Sequence, residues 1–229
     1  MHKNKEINLA ALFMTDRVIN IFMLIRLNRK ILFSALLFIV LIHFSPAQQF
    51  NNRSRFEKHW ALLHPFAAFK VKKIYQKANE IYSESKKYNL LDNFENGGKL
   101  DAYRHIFFMA AFAQKINAGK VKKLGIAHEK GNYLHFKKSI HEHGEVPDSL
   151  SSVMDFHNND IGIKTGKTNK RQTLSELSAL CITEIKKGNA VYFKRSTAGA
   201  YLTCQDEEID LSAYKGNWHI PKCLIATNK

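Results

Sequence analysis

A mainly α protein is what this sequence predicts: a compact single-domain helical bundle of about five helices, with a short irregular or strand-containing C-terminal tail. Three observations carry the expectation. The chain has 229 residues, 45% of them hydrophobic, which is room for one ordinary domain but not comfortably for two. Apolar residues recur at helical spacing over most of residues 65–187. Only 4 Pro and 3 scattered Cys occur, so collagen-like, low-complexity and disulfide-framework classes are excluded.

Residues 1–47 read as an export signal. Residues 31–42 are twelve in number and apolar except for Ser34; Arg26, Arg29 and Lys30 precede them, and Ser45, Pro46 and Ala47 follow. Basic, then apolar, then small residues is the order of a secretory signal, with cleavage expected after Ala47. The rest of the chain is then periplasmic or extracellular. A bilayer span needs about 20 apolar residues, so this run is short for one unless His43 and Phe44 are drawn in; an uncleaved inner-membrane anchor through residues 31–44 is the alternative. Residues 7–25 are also half apolar, and a start at Met23 would give a leader of ordinary length. Residues 48–64 are taken as an N-terminal extension, 65–189 as the helical domain and 190–229 as a tail packed on it.

The helices follow in order. Residues 65–87 set Phe66, Phe69, Ile74, Ala78 and Ile81 among lysines and glutamates, with Pro65 in the first turn, where a proline costs no hydrogen bond. Asn96, Gly97 and Gly98 signal a turn. Residues 99–116 are apolar over much of the circumference and predict the central, most buried helix. A further helix runs from Lys120 to about Lys138, and another opens at Pro147, Asp148 and Ser149 and ends near Gly162 or Gly166. Thr173 with Glu176 three residues later forms a capping box, and that helix stops at Lys187 and Gly188. Beyond it, residues 190–194 and 200–204 suit short strands, and the segment around Trp218 suits an irregular tail packed by its aromatic ring.

The formal net charge is +15. Residues 1–47 hold six of the Lys and Arg and two of the Asp and Glu, leaving 29 basic and 18 acidic side chains, a net +11, on the remainder. Such a field favours an anionic envelope component: lipid headgroups, lipopolysaccharide or wall polymer. Nucleic acid is a weaker expectation, because the helical lysines lack interleaved aromatics for base stacking. No P-loop is present, so no nucleotide cofactor is expected, and no HExxH or GxSxG string occurs. Oligomeric state is left open. Export permits one disulfide, with Cys204 and Cys223 the better pair; Cys181 lies in a helical pattern as a small buried residue.

The chemistry-bearing residues stand on three helices. At 100° per residue Asp101 and His105 fall within about 40° of each other on the apolar stripe of their helix, with Arg104 on its flank. Pointed into a core, they need partners from elsewhere, since an unsatisfied buried polar group costs about 1–3 kcal/mol. His128 and Glu129 occupy the next helix about 100° apart, so they do not face one point. On the third helix Asp155, Asn158, Asn159, Gly162 and Gly166 share a face, the glycines permitting close backbone approach, while His157 points away. The expected catalytic set is His105, Asp101, Asp155, Arg104, Asn158 and Asn159. A His–carboxylate pair would activate water, and Arg or Asn would stabilise developing negative charge. Alternatively His105, His128, Glu129 and Asp155 would ligate a divalent metal. The competing interpretation is a satisfied hydrogen-bond network that fixes helix packing.

The strings Asp101-Ala102-Tyr103-Arg104-His105, Ala127-His128-Glu129 and Met154-Asp155-Phe156-His157-Asn158-Asn159-Asp160-Ile161-Gly162 resemble an uncharacterised bacterial family with D-A-x-R-H, A-H-E and M-D-x-x-N-N-x-x-G motifs. Its members often carry a signal peptide or lie within secreted proteins. The resemblance covers residues 90–166 and implies that these residues belong together without implying a reaction. A fainter similarity is to secreted bacterial phospholipases A2, where a His–Asp pair activates water near calcium; their paired cysteines and glycine-rich calcium loop are lacking here. The functional expectation is an exported hydrolase acting on an anionic envelope substrate, phospholipid or wall polymer. A non-catalytic envelope module and a toxin-like nuclease are the alternatives.

Overall fold

The computed structural model describes residues 53–88, 91–139 and 147–229, which lie in one compact unit spanning Arg53–Lys229. The expected signal and its cleavage site lie outside the described residues. Six helices are present among the described residues: α1 Arg55–Leu63, α2 Pro65–Lys87, α3 Lys99–Lys115, α4 Ala118–Lys137, α5 Ser149–Thr168 and α6 Leu174–Lys187. Two short strands, β1 Val191–Phe193 and β2 Leu224–Ala226, pair antiparallel with Val191 opposite Ala226. The protein is mainly α, as its periodicity predicts.

The central helix is α3, which lies against α5 along its length and also against α2 and α6. Its Gly98 N-cap has no side chain to offer, so Asp92 supplies the cap from the preceding loop, accepting from the backbone N–H of Lys99 at 2.7 Å and of Leu100 at 3.0 Å. Tyr103, Ile106, Phe107 and Ala110 of α3 are buried with Ala78 of α2 and Leu177, Cys181 and Ile185 of α6. A buried Phe or Ile contributes about 1.5–3 kcal/mol, so this layer holds α2, α3 and α6 together. A second cluster joins Trp60 of α1 to Met109 and Phe112 of α3 and Val121 of α4.

Close approach of α3 and α5 depends on two glycines. A Cβ placed on Gly162 would run into the carbonyl of Ile106, and one on Gly166 into the carbonyl of Ala110. Backbone therefore meets backbone, and α5 presents Asp155 and Asn159 to His105 of α3. Capping signals are realised at α6, where Thr173 and Glu176 exchange hydrogen bonds and Gly188 is left-handed at φ 78°.

Two expectations are corrected. Residues 54–63, taken as an extension, instead form α1 behind a Ser54/Glu57 capping box, and Trp60 is buried with its Nε1–H donating to the Lys120 carbonyl at 3.0 Å. That box was present in the sequence, but the segment is too short for its apolar residues to show a clear period. Residues 200–204, expected as a short strand, form none. They make isolated bridges from Tyr201 to Arg195 and from Leu202 to Glu208, while β1 pairs with Leu224–Ala226, so the C-terminal tail contains a strand as expected. Cys204 and Cys223 form the disulfide, and Cys181 is free and buried. Trp218 packs on Phe136 and Tyr133 of α4, with ring centroids 4.8 and 5.1 Å away.

Candidate functional site

Where α3 meets α5, Asp101, His105, Asp155 and Asn159 are all less than a tenth exposed. His105 Nε2 lies 3.1 Å from Asp155 Oδ1 and 3.5 Å from Asp101 Oδ1, and Nδ1 lies 3.1 Å from Asn159 Oδ1. Arg104 donates to Asp101 Oδ1 from Nε at 3.0 Å and Nη2 at 2.5 Å, and Nη2 stands 3.3 Å from His105 Nε2. The other Asp101 oxygen accepts from the Gly97 N–H at 2.7 Å. Only Arg104 reaches toward solvent, with 23% of its side chain exposed.

The charges follow from this packing. Burial disfavours an ionised Asp101, but Arg104, His105 and the Gly97 N–H overcome that and lower its pKa. Burial also dominates at His105 and pushes the imidazole down to about 4 against the upward pull of Asp101. The ring is therefore neutral at pH 7 and carries one proton. With Asn159 Oδ1 facing Nδ1, that proton would sit on Nδ1 and leave the Nε2 lone pair against Asp155. Turning the Asn159 amide over lets Nδ2, which otherwise has no hydrogen-bond partner among the described residues, donate to Nδ1. The proton would then lie on Nε2 between two carboxylates, with the Arg104 Nη2 donor, 3.3 Å away, facing the same nitrogen.

Of the six residues expected to act in catalysis, five come together: His105, Asp101, Asp155, Arg104 and Asn159. Asn158 does not join them. Its amide mimics a strand neighbour, donating to the Val191 carbonyl at 3.0 Å and accepting from the Val191 N–H at 3.1 Å, and so fastens β1 to α5. His128 and Glu129 are not part of the Asp101–His105–Asp155 group, although His128 is near enough for its charge to lower the His105 pKa. A Cβ on Gly131 would collide with the Ser54 side chain, so this face of α4 receives the start of α1, and His128 Nδ1 lies 3.5 Å from Glu57 Oε1. Glu129 accepts from Asn132 Nδ2 at 3.2 Å. His157, exposed as expected, has Nε2 2.9 Å from the Asn189 carbonyl.

Among the described residues, the ligand atoms that come close enough for a metal belong to Asp101, His105 and Asp155, all within 4.8 Å of one another. The 3.1 and 3.5 Å spacings about Nε2 are those of ligands roughly 2.0–2.2 Å from a shared ion. The cation beside them is Arg104, which a metal would have to displace. Neither His128 nor Glu129 belongs to this group.

Glu57 went unread in the sequence, and Gly97 was read only as part of a turn. Glu57 could have been found from the capping box with Ser54, and Gly97 from an Asn-Gly-Gly turn placed four residues before an acid in a first helical turn. Burial would raise the Glu57 carboxyl, but His128, the Ser54 N–H and Arg53 bring it down to about 2.

Both shifts make acid destabilising. For His105, whose folded value of about 4 lies below its ordinary 6.5, the unfolded chain binds the proton first, so stability is full above pH 6.5 and falls down to pH 4. For Glu57 the loss runs from pH 4.5 to about 2. The expected losses are about 3 kcal/mol for His105 and, with solvent screening, about 1–2 kcal/mol for Glu57. Urea unfolding from pH 7 to 3 measures this. His105→Gln should flatten the upper window and Glu57→Gln the lower; an unchanged profile in both variants would contradict these assignments.

Fold and site together define a small helical domain whose polar centre joins two closely packed helices. Residues 58–189, more than half of the chain, match the family described as a domain of unknown function, DUF6973, and the chain belongs to that family. The match begins inside α1 and ends two residues beyond α6, taking in the polar centre and stopping short of β1. No curated protein and no solved structure matches the chain.

Proposed function

We propose that this domain is an exported hydrolase acting on an anionic envelope substrate, phospholipid or wall polymer. The observation that carries the reading is the His105–Asp155 contact of 3.1 Å with Arg104 beside it and partly exposed. A neutral imidazole can accept a proton from water, Asp155 and Asp101 hold its orientation and stabilise the imidazolium that forms, and Arg104 binds a phosphate or developing oxyanion. The net positive charge draws an anionic substrate toward the partly exposed Arg104.

The test is product release from a fluorogenic phospholipid, from wall fragments and from plasmid DNA, each with chelator and with added Ca²⁺, Mg²⁺ or Zn²⁺. Wild type should hydrolyse a lipid or wall substrate, and His105→Asn and Asp155→Asn should lower turnover by about 100-fold or more. Cleavage of DNA alone would make the domain a nuclease, and no hydrolysis anywhere would remove the enzymatic reading.

A second reading, a packing network in a non-catalytic module, is favoured by one observation: both His105 ring nitrogens and both Asp101 oxygens already have partners within the protein. It gains if His105→Ala costs more than about 2 kcal/mol in urea while wild type hydrolyses nothing.

A further inference from the structure

The corner between α1 and α2 leaves its large apolar side chains in solvent. Leu62, Leu63, Phe66 and Phe69 are 77, 60, 87 and 59% exposed. Four large apolar side chains this exposed within eight residues mark an interaction surface. Its setting is basic throughout: residues 58–79 contain Lys58, Lys70, Lys72, Lys73 and Lys77 and no Asp or Glu. At 100° per residue Phe66, Phe69, Lys70, Lys73 and Lys77 lie within about 100° of one another on α2. The Lys73 ammonium stands 4.4 Å from the centre of the Phe69 ring, so charge and ring are presented together. Glu80 and Glu84 continue the same face only farther along the helix.

We propose that the α1–α2 corner docks on an anionic lipid bilayer, with Leu62, Leu63, Phe66 and Phe69 entering the headgroup–acyl boundary and Lys70, Lys73 and Lys77 meeting lipid phosphates. Apolar and basic residues on one helix face are what an interfacial helix needs, because bilayer contact buries the rings while the ammonium groups stay at the phosphates. An acidic protein would match the lysines but leave the exposed phenylalanines unexplained. No helix among the described residues is long and apolar enough to cross a membrane, so the contact is with the surface. Docking is independent of the hydrolase reading, since it uses no residue of the His105 centre and its test reads no catalysis.

The experiment uses the full chain carrying Phe66→Trp, mixed with phosphatidylglycerol–phosphatidylcholine vesicles whose acyl chains are brominated. Phe156→Trp, on α5 at a residue 40% exposed, is the comparison, and wild type gives the background of Trp60 and Trp218. After that background is subtracted, emission of the Phe66→Trp variant should be quenched at least about twofold more than emission of the Phe156→Trp variant. Quenching should fall several-fold when Lys70→Glu, Lys73→Glu and Lys77→Glu are combined with Phe66→Trp, on pure phosphatidylcholine, and at about 0.5 M salt. Equal quenching of the two tryptophan variants overturns the proposal. So does a lipid-free emission of the Phe66→Trp variant that is already blue-shifted: a shift that grows with protein concentration means a second copy covers the patch, and a constant one means the chain covers it itself.

Discussion

Asp148→Asn should destabilise the domain by about 3–5 kcal/mol, although asparagine caps a helix as well as aspartate does. Asp148 is the N-cap of α5, its Oδ1 accepting from Leu150 at 2.8 Å and Ser151 at 3.1 Å, and its Oδ2 lies 2.7 Å from Lys222 Nζ. Both side chains are at most 2% exposed, and the ammonium stands 3.9 Å from the Tyr201 ring centre and 4.9 Å from that of Phe193. Two aromatic faces soften the cost of burying that cation but cannot replace a carboxylate, so neutralising Asp148 leaves a buried charge without its counter-ion. Adding Lys222→Met should recover most of the loss, because a well-packed apolar pair often does as well as a buried ion pair. Urea unfolding of both single variants and the double variant checks this. A loss under about 1 kcal/mol for Asp148→Asn would mean that this pair does not hold the C-terminal tail to the start of α5.

Gly162→Ala should destabilise the protein by about 2 kcal/mol or more, against a helix-propensity gain of nearly 1 kcal/mol. The new methyl meets the Ile106 carbonyl, which belongs to a helix backbone and cannot swing aside as a side chain would. Separating α3 from α5 also lets water reach His105, and since burial is what holds the imidazole down, the variant should lose the stability change between pH 6.5 and 4 along with its stability at pH 7. Gly166→Ala, one turn on and facing Ala110, should act in the same direction. Wild-type stability in either variant would show that the two helices have room to spare.

What the sequence alone determined is local. Helical periodicity placed α2, α3 and α4, the capping box and the terminal glycine bounded α6, and the 100° step set Asp101 and His105 on one buried stripe with Arg104 at its edge. Such signals are legible because capping and face-sharing involve residues three or four apart, whose geometry the helix itself dictates. Even the inward face of α5 could be read, since Asp155, Asn159, Gly162 and Gly166 recur at that spacing.

Tertiary structure decided which buried groups meet. Asp155 reaches His105 because two glycines bring α5 onto the α3 backbone, whereas Asn158, on the same face, is claimed by β1. His128 is turned to Glu57 because Gly131 accepts the start of α1, a helix whose contact with α4 spans some seventy residues of chain. Likewise β1 pairs with Leu224–Ala226 rather than with its neighbour in sequence. Each of these choices is a competition among distant segments for one surface, settled by backbone fit and by the need to satisfy buried polar groups, and no short-range pattern in the sequence encodes the winner.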